Sequence, residues 1–338
     1  MLNRTPTAYA LNLIEDARQA GHDLLATLNI SQMELVASQN MAFEDFNLVV
    51  DAYENWTTNR DWGFHLGKKL GITAHGALGV CALSANTIGE GLDVLCRFMA
   101  TRSCSINAAV VADNSHLRAE FLHTGQMRRH LKAMTENLAV VVTNFLVTVA
   151  GRDDLELRWT FPYPKPEDIS LYHRELPGSF EFEGSLLSVV LPEELANQPS
   201  LLRDKNLHQA TRLQCGEELR EVQQNPDFAY VTSLLSSALI KRLGEVEPMT
   251  RLPTTEDLAR HLNMSPRTLI RRLKSNHTTL REIKDALVRD YMQDMLSRGI
   301  YSVTDIAIKL GYENPGNFTR ACKRLLGVTP NSIRKARP

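Results

Sequence analysis

Residues Thr254 to Pro330 carry one pattern twice. The first copy reads LARHLNMSPRTLIRRLK, from Leu258 to Lys274, and the second reads IAIKLGYENPGNFTRACK, from Ile306 to Lys323. Leu258, Ala259, Leu262 and Asn263 match Ile306, Ala307, Leu310 and Gly311 at an offset of 48 residues. One extra turn residue then moves the offset to 49, so that Ser265-Pro266 matches Asn314-Pro315, Leu269 matches Phe318 and Arg271 matches Arg320. Both copies dictate the same local structure. A short amphipathic helix ends at Leu262 or Leu310. Asn263 or Gly311 follows, the residue types that best tolerate left-handed backbone angles at a helix C-terminus. Ser265 or Asn314 then serves as N-cap, with proline in the first helical position.

The second helix of each copy is two-sided. Leu269 and Leu273, or Phe318 and Leu325, face inward, while Arg267, Arg271, Arg272 and Lys274, or Arg320, Lys323 and Arg324, lie on the other face. Two short helices about a tight turn, the second one basic, make a helix-turn-helix. A single copy fits an ordinary helical hairpin with a solvated polar face equally well. Two copies in register, each with the same cap-proline pair, point to nucleic acid.

The charge distribution agrees. Residues 241–338 hold 19 Lys+Arg against 10 Asp+Glu, or +9, and the other 240 residues hold 19 against 29, or −10. The near-zero net charge therefore hides a basic C-terminal third on an acidic body. Length suits two domains. No apolar run is read as long enough to cross a bilayer, and the first residues lack the layout of a secretion signal, so a cytoplasmic protein without membrane contact is expected. Cys81, Cys96, Cys104, Cys215 and Cys322 are odd in number and lack CxxC spacing, which fits buried, reduced thiols.

The chain before the repeat mixes helix and strand. Helical spacing runs over Ala8–Ala20, Ala42–Trp56, Asp61–Leu70, Thr87–Thr101 (with Thr87 and Glu90 placed for a capping box), Met127–Val149, Pro166–Arg174 and Leu201–Val222. Strands are expected at Ile106–Val111 and His116–Leu122, forming a hairpin, and at Leu155–Phe161, Phe180–Phe182 and Leu186–Leu191. GALG after His75 reads as a turn or a close-packing site. The fold class is an α+β N-terminal domain over residues 1–205, a linker helix and boundary over 206–228, and an all-α C-terminal domain over 229–338. In that last domain two helix-turn-helix motifs are joined by a connecting helix, Leu280–Leu296. The break is set near Gln224–Asp227, because Pro226 cannot continue a helix. Val231–Leu243 is the first helix beyond it.

DIAIKLGYENPGNFTRACKRLLGVTPNSIRK, together with LARHLNMSPRTLIRRLK, resembles the DNA-binding domain of the AraC/XylS family of transcription regulators over Val231 to Lys335. A fainter resemblance covers AHGALGVCALSANTIGEGLDVLCRF, WTFPYP and LYHRELPGSFEFEGSLLSVVLP. It matches the subset with a long α+β sensor domain, similar to ornithine-utilisation regulators. The resemblance implies double-stranded promoter DNA, RNA polymerase, a small effector and a second copy of the chain as partners, and an activator role.

It also implies base contacts from Arg267, Thr268, Ile270, Arg271, Asn317, Thr319 and Arg320, whose types suit base edges: arginine grips guanine, asparagine adenine, and threonine or isoleucine the thymine methyl. Ser265, Arg272, Lys274, Asn314, Lys323 and Arg324 are assigned to phosphates, which add affinity but little sequence information. Three positions depart from the family pattern. Gly316 stands where a reading side chain is usual, and Cys322 and Ile333 replace usual aromatics, so the first motif is expected to dominate readout and the second to pack more loosely.

For the effector, Trp62, Phe64, His65, His75 and Tyr163 are the candidate lining. No HExxH, phosphate-binding glycine loop or GxSxG motif occurs, and His123 and His130 suit a solvated helix face better than a metal site, so no catalytic residue, metal or cofactor is expected.

Overall fold

The computed structural model describes residues 4–28, 35, 37–103, 105–112, 115–123, 130–222, 231, 235, 238–239, 252–261, 264–275, 278–299 and 301–335. The N-terminal part begins with β1 (Arg4–Pro6), α1 (Thr7–Gln19), α2 (Leu24–Leu28), β2 (Asn40–Ala42), α3 (Phe43–Trp56) and α4 (Trp62–Lys69). β1 and β2 pair antiparallel. Three residues are too few to show alternation, and neither strand is legible in the sequence. A 3₁₀ turn (Ile72–His75) leads into α5 (Gly76–Leu83) and α6 (Ile88–Arg97). GALG thus lies on a helix, with Gly79 pressed against the Ile72 carbonyl. Thr87 caps α6 through the Glu90 N–H, at 3.2 Å. The Glu90 carboxylate instead accepts from the Asn86 N–H at 3.0 Å, so the expected box does not close.

The main sheet has the order β3-β4-β7-β5-β6, from β3 (Ile106–Ala112), β4 (His116–His123), β5 (Arg158–Thr160), β6 (Ser179–Glu181) and β7 (Leu187–Pro192). Its pairs are antiparallel except β5 with β6. The expected strand at Leu155–Phe161 contracts to three residues, and the expected helix at Pro166–Arg174 to α8 (Ser170–Glu175). α7 (Leu131–Ala150) is long and apolar enough, by composition, to cross a membrane, contrary to the expectation that no such run exists. It is a core helix instead. Leu138, Val142 and Phe145 face one apolar cluster and Ala133, Met134 and Val141 the other, so both sides are buried. α4 lies so close that a Cβ on Gly63 would stand 2.2 Å from the Ala133 carbonyl, and one on Gly67 2.6 Å from Val140 Cβ. Glycines four apart present one bare face to a neighbouring helix.

After α9 (Glu193–Asn197), α10 (Lys205–Val222) lies against α5, burying Cys215. The boundary expected at Gln224–Asp227 lies outside the described residues. Of the helix expected over Val231–Leu243, Val231, Leu235 and Leu239 are described and are buried in the C-terminal core. That core is closed by α11 (Thr255–His261), α12 (Pro266–Ser275), α13 (Leu280–Arg298), α14 (Val303–Lys309), α15 (Pro315–Leu326) and α16 (Pro330–Lys335). Capping boxes start α13 at Thr279 with Glu282 and α14 at Ser302 with Asp305.

The hairpin is the wall between the two halves. Side chains alternate across a strand. Phe121 and Ala119 therefore face the N-terminal core, while Ala109 and Leu122, with Leu186, join the C-terminal cluster. Next to Leu186, the Ser185 hydroxyl donates to Tyr301 Oη at 2.8 Å.

Candidate DNA interface and effector cavity

In α12 the cap forms as the sequence requires, with Ser265 Oγ accepting from the Thr268 N–H at 3.1 Å. Leu269 and Leu273 are buried, which turns Arg267, Ile270, Arg271, Arg272 and Lys274 outward. Ile270 is 47% exposed, an aliphatic side chain held in water between arginines. Among the described residues Arg267 and Arg271 have no ion-pair or hydrogen-bond partner, so their guanidinium groups are open to an anion or a base edge.

α15 repeats the scaffold. Asn314 Oδ1 accepts from the Asn317 N–H at 2.9 Å, Pro315 follows, and Phe318, Ala321 and Cys322 are buried. Gly311 has φ +87°, the left-handed angle that the motif calls for. Cys322, expected to leave looser packing, is fully buried and donates from Sγ to the Val328 carbonyl at 3.3 Å. The outward chemistry differs from that of α12. Arg320 donates to Asn317 Oδ1 at 2.5 Å, and the Thr319 hydroxyl donates to the Pro315 carbonyl at 2.8 Å. Arg324, assigned to phosphate from the sequence, makes a two-pronged ion pair with Asp285 of α13, at 2.5 and 2.9 Å. Lys323 is exposed, as is Gly316.

The N-terminal half contains a cavity of about 90 Å³ between its two apolar clusters. Leu66, Leu78, Leu95, Met134, Leu138 and Val142 make much of its wall. Its polar lining residues are Thr5, Tyr9, His75, Arg102, Ser103, Ser105, His123 and Asn137. Of the five residues proposed from sequence as effector lining, His75 lines this space. Trp62 sits in the core edge-on to Tyr53, with ring centres 5.5 Å apart. Phe64 and Tyr163 belong to an aromatic core with Phe161 and Tyr172. There the Tyr172 hydroxyl donates to buried Glu136 at 2.6 Å, and burial raises the Glu136 carboxyl above its usual range despite Lys132. His65 is at the surface against Asp16, at 2.8 Å. Tyr9, Arg102 and Asn137 carried no sequence signal as a site, since they come from three elements far apart in the chain.

Two further readings change. His123 is buried at the cavity wall, and His130 is buried between Asp51, at 2.7 Å, and Glu54, so neither lies on a solvated face. Among the described residues no group of His, Cys, Asp and Glu is arranged to hold a metal ion. Cys81, Cys96, Cys215 and Cys322 are free and buried. The Cys215 thiol, with Thr211 and His208 beside it, holds Cys81 below the usual thiol range.

Residues 20–200, more than half of the chain, match the family model described as the arabinose-binding domain of AraC transcription regulator, N-terminal. The chain belongs to the AraC family of transcription regulators. Residues 258–336 match the helix-turn-helix domain model, which spans both copies of the repeat and identifies this AraC-type chain as a DNA-binding regulator. It is 24% identical over 337 residues to the ornithine utilization regulator of Pseudomonas aeruginosa, covering 98% of this chain and 96% of the relative. It is 22% identical over 281 residues to the HTH-type transcriptional regulator VirS of Mycobacterium tuberculosis, covering 81% and 78%. The crystal structure of the transcriptional regulator CdpR from Pseudomonas aeruginosa aligns over 97% of this chain and 98% of that one, at 20% identity and a TM-score of 0.43. These AraC-type relatives are regulators, not enzymes.

Proposed function

We propose that this AraC-type protein is an effector-controlled activator whose N-terminal cavity holds a small molecule and whose two basic helices read promoter DNA. The observation that carries the reading is the pairing of a mostly apolar cavity with a hairpin wall shared between the cavity-bearing core and the DNA-binding core. A ligand shifts such a system only through different affinity for its two states, and a wall common to both cores gives it a route. Arg267, Thr268, Ile270 and Arg271 are the first-motif base readers, and Asn317, Thr319 and Arg320 the second-motif ones. Ser265, Arg272, Lys274, Asn314 and Lys323 serve the backbone. Arg324 joins them only after leaving Asp285. The domain limits follow the sequence reading, with 1–205 sensing and dimerising and 229–338 binding DNA. A homodimer, RNA polymerase contact and action in the cytoplasm rest on family resemblance.

The test is selection of duplexes from a random pool by the full chain, followed by footprinting. Two protected major-groove segments about one helical turn, ~34 Å, apart are expected for each subunit. Affinity indifferent to sequence would sink the reading, and a selected site bound identically with every small molecule tried would reduce it to constitutive DNA binding.

A further inference from the structure

A cation, Arg102, is among the cavity's lining residues. Arg102 follows the short 3₁₀ turn after α6, and its guanidinium lies over Gly76 at the start of α5, 3.4 Å from where a Cβ would stand. Its Nη2 donates to Glu218 of α10, and its backbone carbonyl accepts from Thr5 Oγ1 at 3.1 Å. Its buried Nε has no partner. Beside it, His75 Nδ1 meets the Tyr9 hydroxyl at 2.5 Å, while His75 Nε2 is buried and unpartnered. Burial, reinforced by the Arg102 charge, lowers His75 to about 4, so the ring is neutral at pH 7. With the Tyr9 hydroxyl donating to Nδ1, the proton sits on Nε2, and an unused donor remains there. The Asn137 amide nitrogen, also at the cavity, is a third buried donor without a partner. Orphaned buried donors of this kind are costly unless something supplies an acceptor.

No Asp or Glu is among the described lining residues, and the rest of the wall is largely aliphatic. A sugar needs polar partners around its whole circumference. An amino acid needs a counter-charge for its ammonium group. Neither finds one here.

Building on the effector-controlled reading, we infer that the cavity takes a small hydrophobic monocarboxylic acid, whose carboxylate accepts from Arg102 and His75 and draws Arg102 away from Glu218. The exchange leaves Glu218 with a partner, because Gln214 Nε2 donates to it at 3.0 Å. Glu218 stands on the last turn and a half of α10, the last described helix before the DNA-binding core. Losing the Arg102 bond removes a polar tie between the end of that helix and the sensor body, leaving the apolar contacts of Cys215 and Leu219, and this couples acid binding to the helix that leads to the DNA-binding core.

The experiment is calorimetric titration of the full chain with hexanoate, octanoate and phenylacetate, their primary amides, ornithine and L-arabinose. At least one acid is expected to bind about tenfold or more tighter than its own amide, the factor a charge-assisted hydrogen bond supplies. Arg102→Gln should bring the acid down to the amide's affinity, and Arg102→Lys should restore part of it, separating a lost charge from a lost fold. Glu218→Gln, which removes the competitor, should tighten the acid several-fold. Acid and amide binding alike, no acid binding at all, or Glu218→Gln weakening the acid overturns the inference. Binding of ornithine or arabinose in preference to every acid also overturns it, yet leaves effector control standing. An acid that binds as expected but leaves operator affinity unchanged supports the ligand class and defeats effector control.

Discussion

The two recognition helices share a scaffold and differ in what their cations are doing. α12 and α15 each have a side-chain cap, Ser265 or Asn314, followed by proline and a buried apolar side. Arg267 and Arg271 on α12 reach outward unengaged among the described residues, whereas Arg320 is bonded to Asn317 and Arg324 to Asp285 on α15. An arginine already satisfied must give up its partner before it touches DNA, so its net gain is smaller. The difference teaches that a repeated sequence repeats backbone and core faithfully, while the reactivity of the outward face depends on neighbours from other elements. Asp285, which holds Arg324, belongs to α13 and not to the motif itself.

The comparison breaks most visibly at the buried positions. Phe318→Ala and Leu269→Ala should each cost about 2–5 kcal/mol in urea unfolding, because both remove fully buried side chains. A loss confined to one of them would mean that the two motifs are not equivalent scaffolds. Next in size, Arg271→Ala should weaken the selected operator by about 1–3 kcal/mol and random DNA little, and Arg320→Ala should cost less. Gel-shift affinities on both duplexes check this, and equal losses for the two arginines would erase the distinction. Replacing a cap, Ser265→Ala or Asn314→Ala, should lower stability by about 0.5–2 kcal/mol in either motif. Asp285→Ala should free Arg324, raising affinity for random DNA and steepening the salt slope by about one phosphate contact. An unchanged slope would show that Arg324 does not reach the backbone.

The smallest effect is the pH dependence of that same pair. The Arg324 hydrogen bond, working against partial burial, lowers the Asp285 carboxyl below its usual value of 3.8. A carboxyl depressed on folding contributes stability above its unfolded pKa and loses it as pH falls through the folded one. The stability gap between wild type and Asp285→Ala should be full at pH 5 to 7 and close below about pH 4. Because both side chains are partly solvated, the gap should not exceed about 1 kcal/mol. A gap that did not narrow on acidification would point to packing instead.

Several features were legible because they are local. Gly311 at a helix end, the caps Ser265 and Asn314, and the 3.6-residue spacing of Leu269 and Leu273 are properties of a few consecutive residues. The hairpin at β3 and β4 was readable for the same reason. α7 was read as a helix, but its apolar residues on all sides became intelligible only between two cores. The cavity left no local trace at all. Of the five lining residues nominated from sequence, Trp62, Phe64 and Tyr163 are core and His65 is surface, since aromatic identity does not distinguish packing from lining.

Sequence alone settled that this chain carries a duplicated, capped, basic helix-turn-helix, because caps, turns and helical faces are fixed by short-range sterics and hydrogen bonding. Tertiary structure decided which arginines are open and which are engaged, and brought Tyr9, His75, Arg102 and Asn137 to the wall of one cavity. Those outcomes depend on residues tens of positions apart becoming neighbours, and only the packing of the cores brings them together.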